Sequence, residues 1–266
     1  KKEEPRGFRG MKMKIAVLGG DGTIGRKIVS EAQKRGHEVH SLSLSTGVDV
    51  MNLELLTESL KNIDTVIDVL SILTADKETA TKFFTNSSNN IILAEKANSI
   101  KHHITLSIVN ALTNAEEGGH YKGYYAGKKA QEEVISSNTI PWTIFRATQF
   151  NEFVPQNLNN GLPEEALLNM MMQPDDTSEV ASELIDLVEN PVFGILPDFA
   201  GPDKISFAEM NLIYLEATNQ LNSEDEIYLR KIIDKKEFTD VLTPKTNYKA
   251  GKIKFTDWLK NETTNK

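Results

Sequence analysis

Ser107, Tyr124 and Lys128 have the residue types of a proton-transfer site. Residues four positions apart share one face of a helix, so the Lys128 ammonium can lie beside the Tyr124 hydroxyl. A phenol with an ordinary pKa near 10 needs about 4 kcal/mol of phenolate stabilisation to exchange a proton near neutral pH. An adjacent ammonium supplies part of that stabilisation, and a serine hydroxyl can hold a substrate oxygen. The three residues are therefore candidate catalytic residues.

The Tyr-x-x-x-Lys spacing by itself has low specificity, because Tyr125 with Lys129 and Tyr248 with Lys252 match it as well. Only the pairs that begin at Tyr124 and Tyr125 follow the predicted strand that carries the serine, so position favours them. The alternative interpretation is an ordinary helix with surface lysines and packed tyrosines.

A glycine-rich turn forms a second candidate site, between a short apolar run and a helical pattern. Gly20-x-Gly22-x-x-Gly25 has the spacing of a dinucleotide-binding turn, and Gly19 extends it to a wider variant. Such glycines permit the turn, let backbone N–H groups approach a pyrophosphate, and let the helix pack on the strand. The start of the helix also offers unpaired N–H groups and partial positive charge. We expect the cofactor to be bound at Gly19, Gly22, Thr23, Ile24, Gly25 and Arg26.

Alternating strands and helices must position these residues. Strand patterns lie at 15–18, 38–44, 65–70, 104–109 and 142–145. Helical patterns between them lie at 24–32, 53–60, 77–99 and 124–135. The alternation predicts a doubly wound parallel α/β sheet, because a parallel crossover needs a helix-length connection. Ligands of such sheets bind at the carboxyl ends of the strands.

The pattern loosens after residue 150, which predicts a dinucleotide-binding domain over 11–150 and a smaller part over 151–266. We expect the smaller part to cover the substrate crevice, with residues 178–196 rejoining the sheet. Residues 1–10 are charged and contain proline and glycine, so we interpret them as a disordered tail or an addition to the native sequence.

Composition excludes several classes of protein. The net charge of −8 over 266 residues argues against nucleic acid or an anionic membrane as a partner. There is no cysteine, which excludes disulfide and thiolate chemistry. The apolar runs are shorter than the ~20 residues that span a bilayer. We expect a cytoplasmic monomer or homodimer with a small-molecule substrate, and we assign no metal site.

Several stretches carry a family resemblance, at 19–26, 106–109, 124–128, 141–150, 175–181 and 199–202. Together they resemble the NmrA-like, NAD(P)-binding branch of the atypical short-chain dehydrogenase/reductases. The resemblance implies a Rossmann-type domain, a small C-terminal substrate-binding part, and NADP or NAD as cofactor. It also implies Tyr124, Lys128 and Ser107 as the tyrosine, lysine and serine of the family.

The end of the second strand departs from the family pattern, which has an arginine for a 2′-phosphate or an acid for the ribose. Ser43, Leu44 and Ser45 stand there instead. Both serines could bind a phosphate, and no acid lies within 39–48 to repel one, so we favour NADP with NAD possible. Asp49 matches the family residue expected near the adenine, and a turn or helix cap is the alternative for it.

These observations predict an NAD(P)-dependent oxidoreductase that transfers hydride between a nicotinamide and a small carbonyl or alcohol. Tyr124 would exchange the proton, Lys128 would lower its pKa and bind the ribose, and Ser107 would orient the substrate. Two alternatives stay open. One is a dinucleotide-sensing regulatory protein without turnover, which needs a protein partner. The other is an isomerase or dehydratase that uses the cofactor transiently.

Overall fold

The computed structural model describes residues 10–72, 74–117, 121–159 and 161–264. The chain divides into two compact units. The first extends to Arg146 and includes Val180–Pro197, and the second comprises Ala147–Glu179 and the chain from Asp198 onward. The first continuous segment of the first unit therefore ends four residues before residue 150. The predicted tail, apart from Gly10, lies outside the described residues.

Helices separate the first five strands, as the sequence predicts, and two helices rather than the single predicted one lie between the fourth and fifth strands. The strands are β1 Lys14–Leu18, β2 Glu38–Leu42, β3 Thr65–Asp68, β4 His102–Ile108, β5 Trp142–Ala147, β6 Met171–Met172, β7 Gly194–Ile195, β8 Asp198–Ala200, β9 Ile205–Ser206 and β10 Tyr248–Ala250. The helices are α1 Thr23–Lys34, α2 Leu53–Ser59, α3 Lys77–Ala97, α4 Ala111–Glu117, α5 Lys122–Ser136, α6 Phe153–Leu158, α7 Glu165–Leu168, α8 Thr177–Glu189, α9 Phe207–Ala217, α10 Ser223–Lys235 and α11 Phe255–Thr264.

The first unit contains a parallel sheet with the strand order β2-β1-β3-β4-β5, and β7 pairs with β5. This arrangement confirms the doubly wound sheet of Rossmann type. The chain moves outward on one side of β1 to reach β2, then crosses to β3 on the other side. Such a reversal places the ligand crevice at the carboxyl ends of β1 and β3.

The second unit has two small sheet regions. Strands β8 and β10 pair in parallel, and Ala147 at the end of β5 pairs with Phe199 of β8. Strands β6 and β9 form an antiparallel pair. Among the described residues of the whole chain, none of the helices combines the length and the apolarity needed to cross a bilayer.

Candidate functional site

Three positions in the turn after β1 have different physical reasons to be glycine. Gly19 has φ +83°, a left-handed conformation that glycine adopts without strain, and a Cβ there would lie 3.2 Å from the Val69 carbonyl oxygen. A Cβ on Gly25 would lie 2.1 Å from the Gly19 oxygen, so only glycine lets α1 pack this closely on the turn. A Cβ on Gly22 would meet only the Gly19 oxygen, at 3.3 Å. Gly22 therefore leaves the outer surface of the turn open.

Helix α1 begins directly after this open surface. Gly22 is its N-cap and makes no side-chain cap, and the first turn contains no acidic residue. Arg26 N donates to Gly22 O at 3.0 Å and starts the helical ladder, so the earlier N–H groups of α1 lie outside that ladder. Arg26 itself is exposed. A glycine surface without Cβ atoms, before a helix whose first turn contains no acid, fits the pyrophosphate of a dinucleotide.

The carboxylate of Asp21 lies at the end of β2. Its Oδ2 accepts a hydrogen bond from Ser45 Oγ at 2.7 Å, and the hydroxyls of Ser43 and Ser45 are 3.0 Å apart. Hydrogen bonds hold the pKa of Asp21 below its usual range, and the bond from Ser45 contributes more than the one from Ser43. The two predicted phosphate-binding serines therefore already bind an acid. No acid lies within residues 39–48, and the carboxylate at this end of the strand comes from the glycine turn.

Asp49 has a local partner in the loop after β2. Its Oδ1 accepts a hydrogen bond from Met51 N at 2.9 Å, two residues further along the chain. This is the turn-capping interaction that the sequence leaves as the alternative to an adenine contact.

Two glycines of α5 let this helix pack closely against α3 and against the residues that precede α3. A Cβ on Gly123 would lie 2.2 Å from the Ala75 oxygen, and one on Gly127 would lie 2.6 Å from a ring carbon of Phe84. The close approach fixes the position of the helix that carries Tyr124 and Lys128. These two residues therefore lie on a rigid element.

Tyr124 is partly buried, and its hydroxyl makes a side-chain hydrogen bond with Ser71. Burial raises the pKa of Tyr124, and the bond with Ser71 opposes that rise. The shift runs opposite to the direction expected from Lys128, whose effect on Tyr124 stays a prediction. Ser71 was not predicted as a site residue, although it follows β3 at the carboxyl end of the sheet, where ligands bind.

The Lys128 ammonium lies in the protein interior, and the side chain is 3% exposed. Its Nζ donates to Leu106 O at 2.9 Å and to Gln131 Oε1 at 2.7 Å. Gln131 Nε2 in turn donates to Asp68 Oδ2 at 3.0 Å. Burial lowers the pKa of Lys128 to about 8, while the nearby Asp68 and Glu132 carboxylates raise it. The Gln131 amide thus links the buried Lys128 ammonium to the buried Asp68 carboxylate.

Ser107 belongs to a separate polar cluster. Its Oγ donates to Glu132 Oε1 at 2.6 Å. Arg146 donates to both oxygens of the same carboxylate, at 2.9 and 2.5 Å. Ser107 therefore binds Glu132, and the serine that interacts with Tyr124 is Ser71.

Residues 19–191 match a family model described as NAD(P)H-binding. The chain belongs to this NAD(P)H-binding family. The match includes the glycine turn, the Asp21 cluster and helix α5. The match agrees with the expected NADP or NAD cofactor.

One curated relative is the Photosystem II assembly factor Ycf39 of Synechocystis sp., 32% identical over 113 residues. The match covers 37% of this NAD(P)H-binding chain and 35% of that protein, so the chain spans about a third of the length of that relative.

Several solved structures have a similar fold. UDP-N-acetylglucosamine 4-epimerase from Bacillus cereus has a TM-score of 0.68 at 15% identity, over 95% of this chain and 98% of that one. A short-chain dehydrogenase/reductase superfamily protein from Agrobacterium tumefaciens with bound NAD has a TM-score of 0.66 at 14% identity, over 94% and 96%. dTDP-4-dehydrorhamnose reductase from Bacillus anthracis in complex with NADP has a TM-score of 0.62 at 13% identity, over 81% and 86%. At these identities the likeness shows the fold alone.

Proposed function

We propose that this protein is an NAD(P)-dependent oxidoreductase acting on a small carbonyl or alcohol, with Tyr124 as the proton-transfer residue. The observation that carries the proposal is the hydrogen bond between Tyr124 and Ser71, because Ser71 belongs to the segment that lies beside the glycine turn. Leu18 and Asp68 are paired in register, so the segments after β1 and β3 leave the sheet side by side. One segment is the glycine turn, and the other contains Ser71, the partner of Tyr124.

A bound nicotinamide dinucleotide supplies the hydride for reduction or accepts it in oxidation. In the reductive direction Tyr124 donates its hydroxyl proton to the carbonyl oxygen of the substrate. Burial raises the pKa of Tyr124, so the residue is protonated at neutral pH and can act as an acid. Ser71 stabilises the phenolate that forms by donating a hydrogen bond to it. Lys128 lies one helical turn away, and its ammonium would have to leave Leu106 O and Gln131 to bind the ribose.

A second candidate function is a dinucleotide-sensing regulator without turnover. Lys128 and Ser107 both have interior partners, Gln131 and Glu132, and this supports a structural role for two of the three expected catalytic residues. The similarity to an assembly factor supports the same alternative. An isomerase or dehydratase would use the same turn and the same tyrosine without net consumption of cofactor.

The decisive experiment compares Tyr124→Phe with Tyr125→Phe in a screen of small carbonyls and alcohols. If Tyr124 is the acid, its variant should lose turnover by roughly 10²-fold or more and keep dinucleotide affinity within a few-fold. The neighbouring variant, at a buried tyrosine, controls for loss of a hydroxyl. A wild-type protein that binds the dinucleotide but turns over no substrate would favour the regulator. Turnover without net cofactor consumption would favour the isomerase or dehydratase.

A further inference from the structure

We propose that Asp21 makes this protein select NAD(H) over NADP(H), by accepting hydrogen bonds from the adenosine ribose and repelling a 2′-phosphate. The inference rests on the dinucleotide binding in the proposed function and specifies its cofactor. The usual source of this selectivity is an acid at the end of the second strand of the sheet. In this chain the glycine turn supplies that acid.

The backbone forces the turn against the end of β2. Leu18 and Leu42 are paired in register, and Gly19 N donates to Leu42 O at 2.9 Å. A Cβ on Gly20 would lie 2.3 Å from Ser41 Oγ, so the turn contacts the last residues of the strand. Asp21 is the next residue, and its carboxylate therefore reaches the segment just after β2, where the ribose hydroxyls of a dinucleotide lie in this fold.

The hydrogen-bond directions in the cluster favour a neutral sugar over a phosphate. Ser45 donates its hydroxyl hydrogen to Asp21, and that hydrogen is then not available to a phosphate oxygen. The same bonds hold the pKa of Asp21 low, so the group is an anion throughout the physiological range. Ribose hydroxyls can donate to this anion, whereas a phosphate placed beside it meets like charge.

The positive charge of Arg26 also lowers the pKa of Asp21, by less than the hydrogen bonds from Ser45 and Ser43 do. The guanidinium is exposed, as is the next residue, Lys27. If Arg26 bound a 2′-phosphate, it would oppose the selectivity. The variant Arg26→Gln separates these two contributions, because it removes the cation and leaves the acid in place.

The test is a titration of NADH and NADPH, at one fixed ionic strength, against the wild type, Asp21→Asn and Arg26→Gln. The isosteric asparagine retains a carbonyl oxygen for Ser45, and thermal unfolding checks that each variant is folded. Glu38→Gln is the matched control, because Glu38 is a carboxylate at the opposite end of β2. It lies four strand residues from Leu42, a separation of about 13 Å, which exceeds the Debye length at physiological salt.

We expect the wild type to bind NADH at least about tenfold more tightly than NADPH, as charge-assisted hydrogen bonds and like-charge repulsion predict. Asp21→Asn should bring the two affinities within about threefold of each other, whereas Glu38→Gln should keep the wild-type ratio. Arg26→Gln should keep or increase the preference for NADH. Equal or tighter binding of NADPH by the wild type overturns the inference, as does an unchanged ratio in Asp21→Asn.

Failure of this inference is distinguishable from failure of the proposed function. A protein that prefers NADH but reduces no carbonyl supports the role of Asp21 and contradicts the oxidoreductase. A protein that turns over substrate with NADPH as readily as with NADH contradicts only the role of Asp21. A folded wild type that binds neither dinucleotide overturns both.

Discussion

Ser107 and Glu132 form a buried hydrogen bond, with the serine hydroxyl donating to Glu132 Oε1 at 2.6 Å. The same carboxylate binds Arg146 through both of its oxygens, so the bond belongs to an internal ion-pair cluster. The hydroxyl near Tyr124 comes from Ser71, on the segment after β3. Two serines that are similar in sequence context therefore have different roles, and substitution can separate them.

Ser71→Ala should reduce turnover by tenfold or more, because it removes the hydrogen bond that stabilises the Tyr124 phenolate. Ser107→Ala should leave turnover within a few-fold and lower the free energy of unfolding by about 1–2 kcal/mol, since a buried carboxylate loses one donor. Steady-state kinetics and chemical denaturation measure the two effects. A large kinetic loss in Ser107→Ala at unchanged stability would restore Ser107 to the catalytic site.

Gly22→Val and Gly25→Ala should fail in different ways, although both alter the glycine turn. The valine should fold, because a Cβ on Gly22 meets only the Gly19 oxygen at 3.3 Å, but its branch would stand where the pyrophosphate must approach. We expect no stabilisation of this variant by NADH or NADPH in a thermal-shift assay. Gly25→Ala should unfold at much lower temperature, because its Cβ would lie 2.1 Å from a backbone oxygen. A folded Gly22→Val protein with the wild-type shift would refute the assigned phosphate site.

Lys128 should make stability increase with pH above neutrality. Burial lowers the pKa of Lys128 from 10.5 to about 8, so between these values the unfolded chain holds a proton that the folded chain has released. Stability rises with pH wherever the unfolded state binds more protons. The free energy of unfolding of the wild type, minus that of Lys128→Met, should therefore be flat below pH 8. It should then grow by about 3 kcal/mol as the pH rises to about 10.5.

Denaturant unfolding of both proteins across this pH range measures that difference. Lys129→Met is the matched control, because Lys129 is less buried and pairs with Glu116 at 3.3 Å. We expect a flat difference for the control. A difference that stays constant for Lys128→Met as well would show that the ammonium is solvated in the folded protein.

The sequence alone determined the glycine turn, the alternation of strands and helices, and therefore the parallel sheet, because these features depend on spacing within a few residues. Local hydrogen bonds in a turn moved the end of one strand from its predicted position. Strand β2 ends at Leu42, two residues early, because Ser43 and Thr46 form a capping box around a 3-10 turn. Helix α10 was not predicted, since its buried apolar residues, Leu229 and Ile232, are few among charged ones.

Only the tertiary structure decided which polar groups meet. Asp21 and Ser45 are separated by 24 positions, and Ser71 and Tyr124 by still more, so their contacts depend on strand register and on how closely α5 approaches α3. The Tyr-x-x-x-Lys spacing placed Tyr124 and Lys128 on one helix, but it could not give the direction of a long, flexible ammonium side chain. That direction was set by Leu106 O and Gln131, because a buried charge must find hydrogen-bond partners.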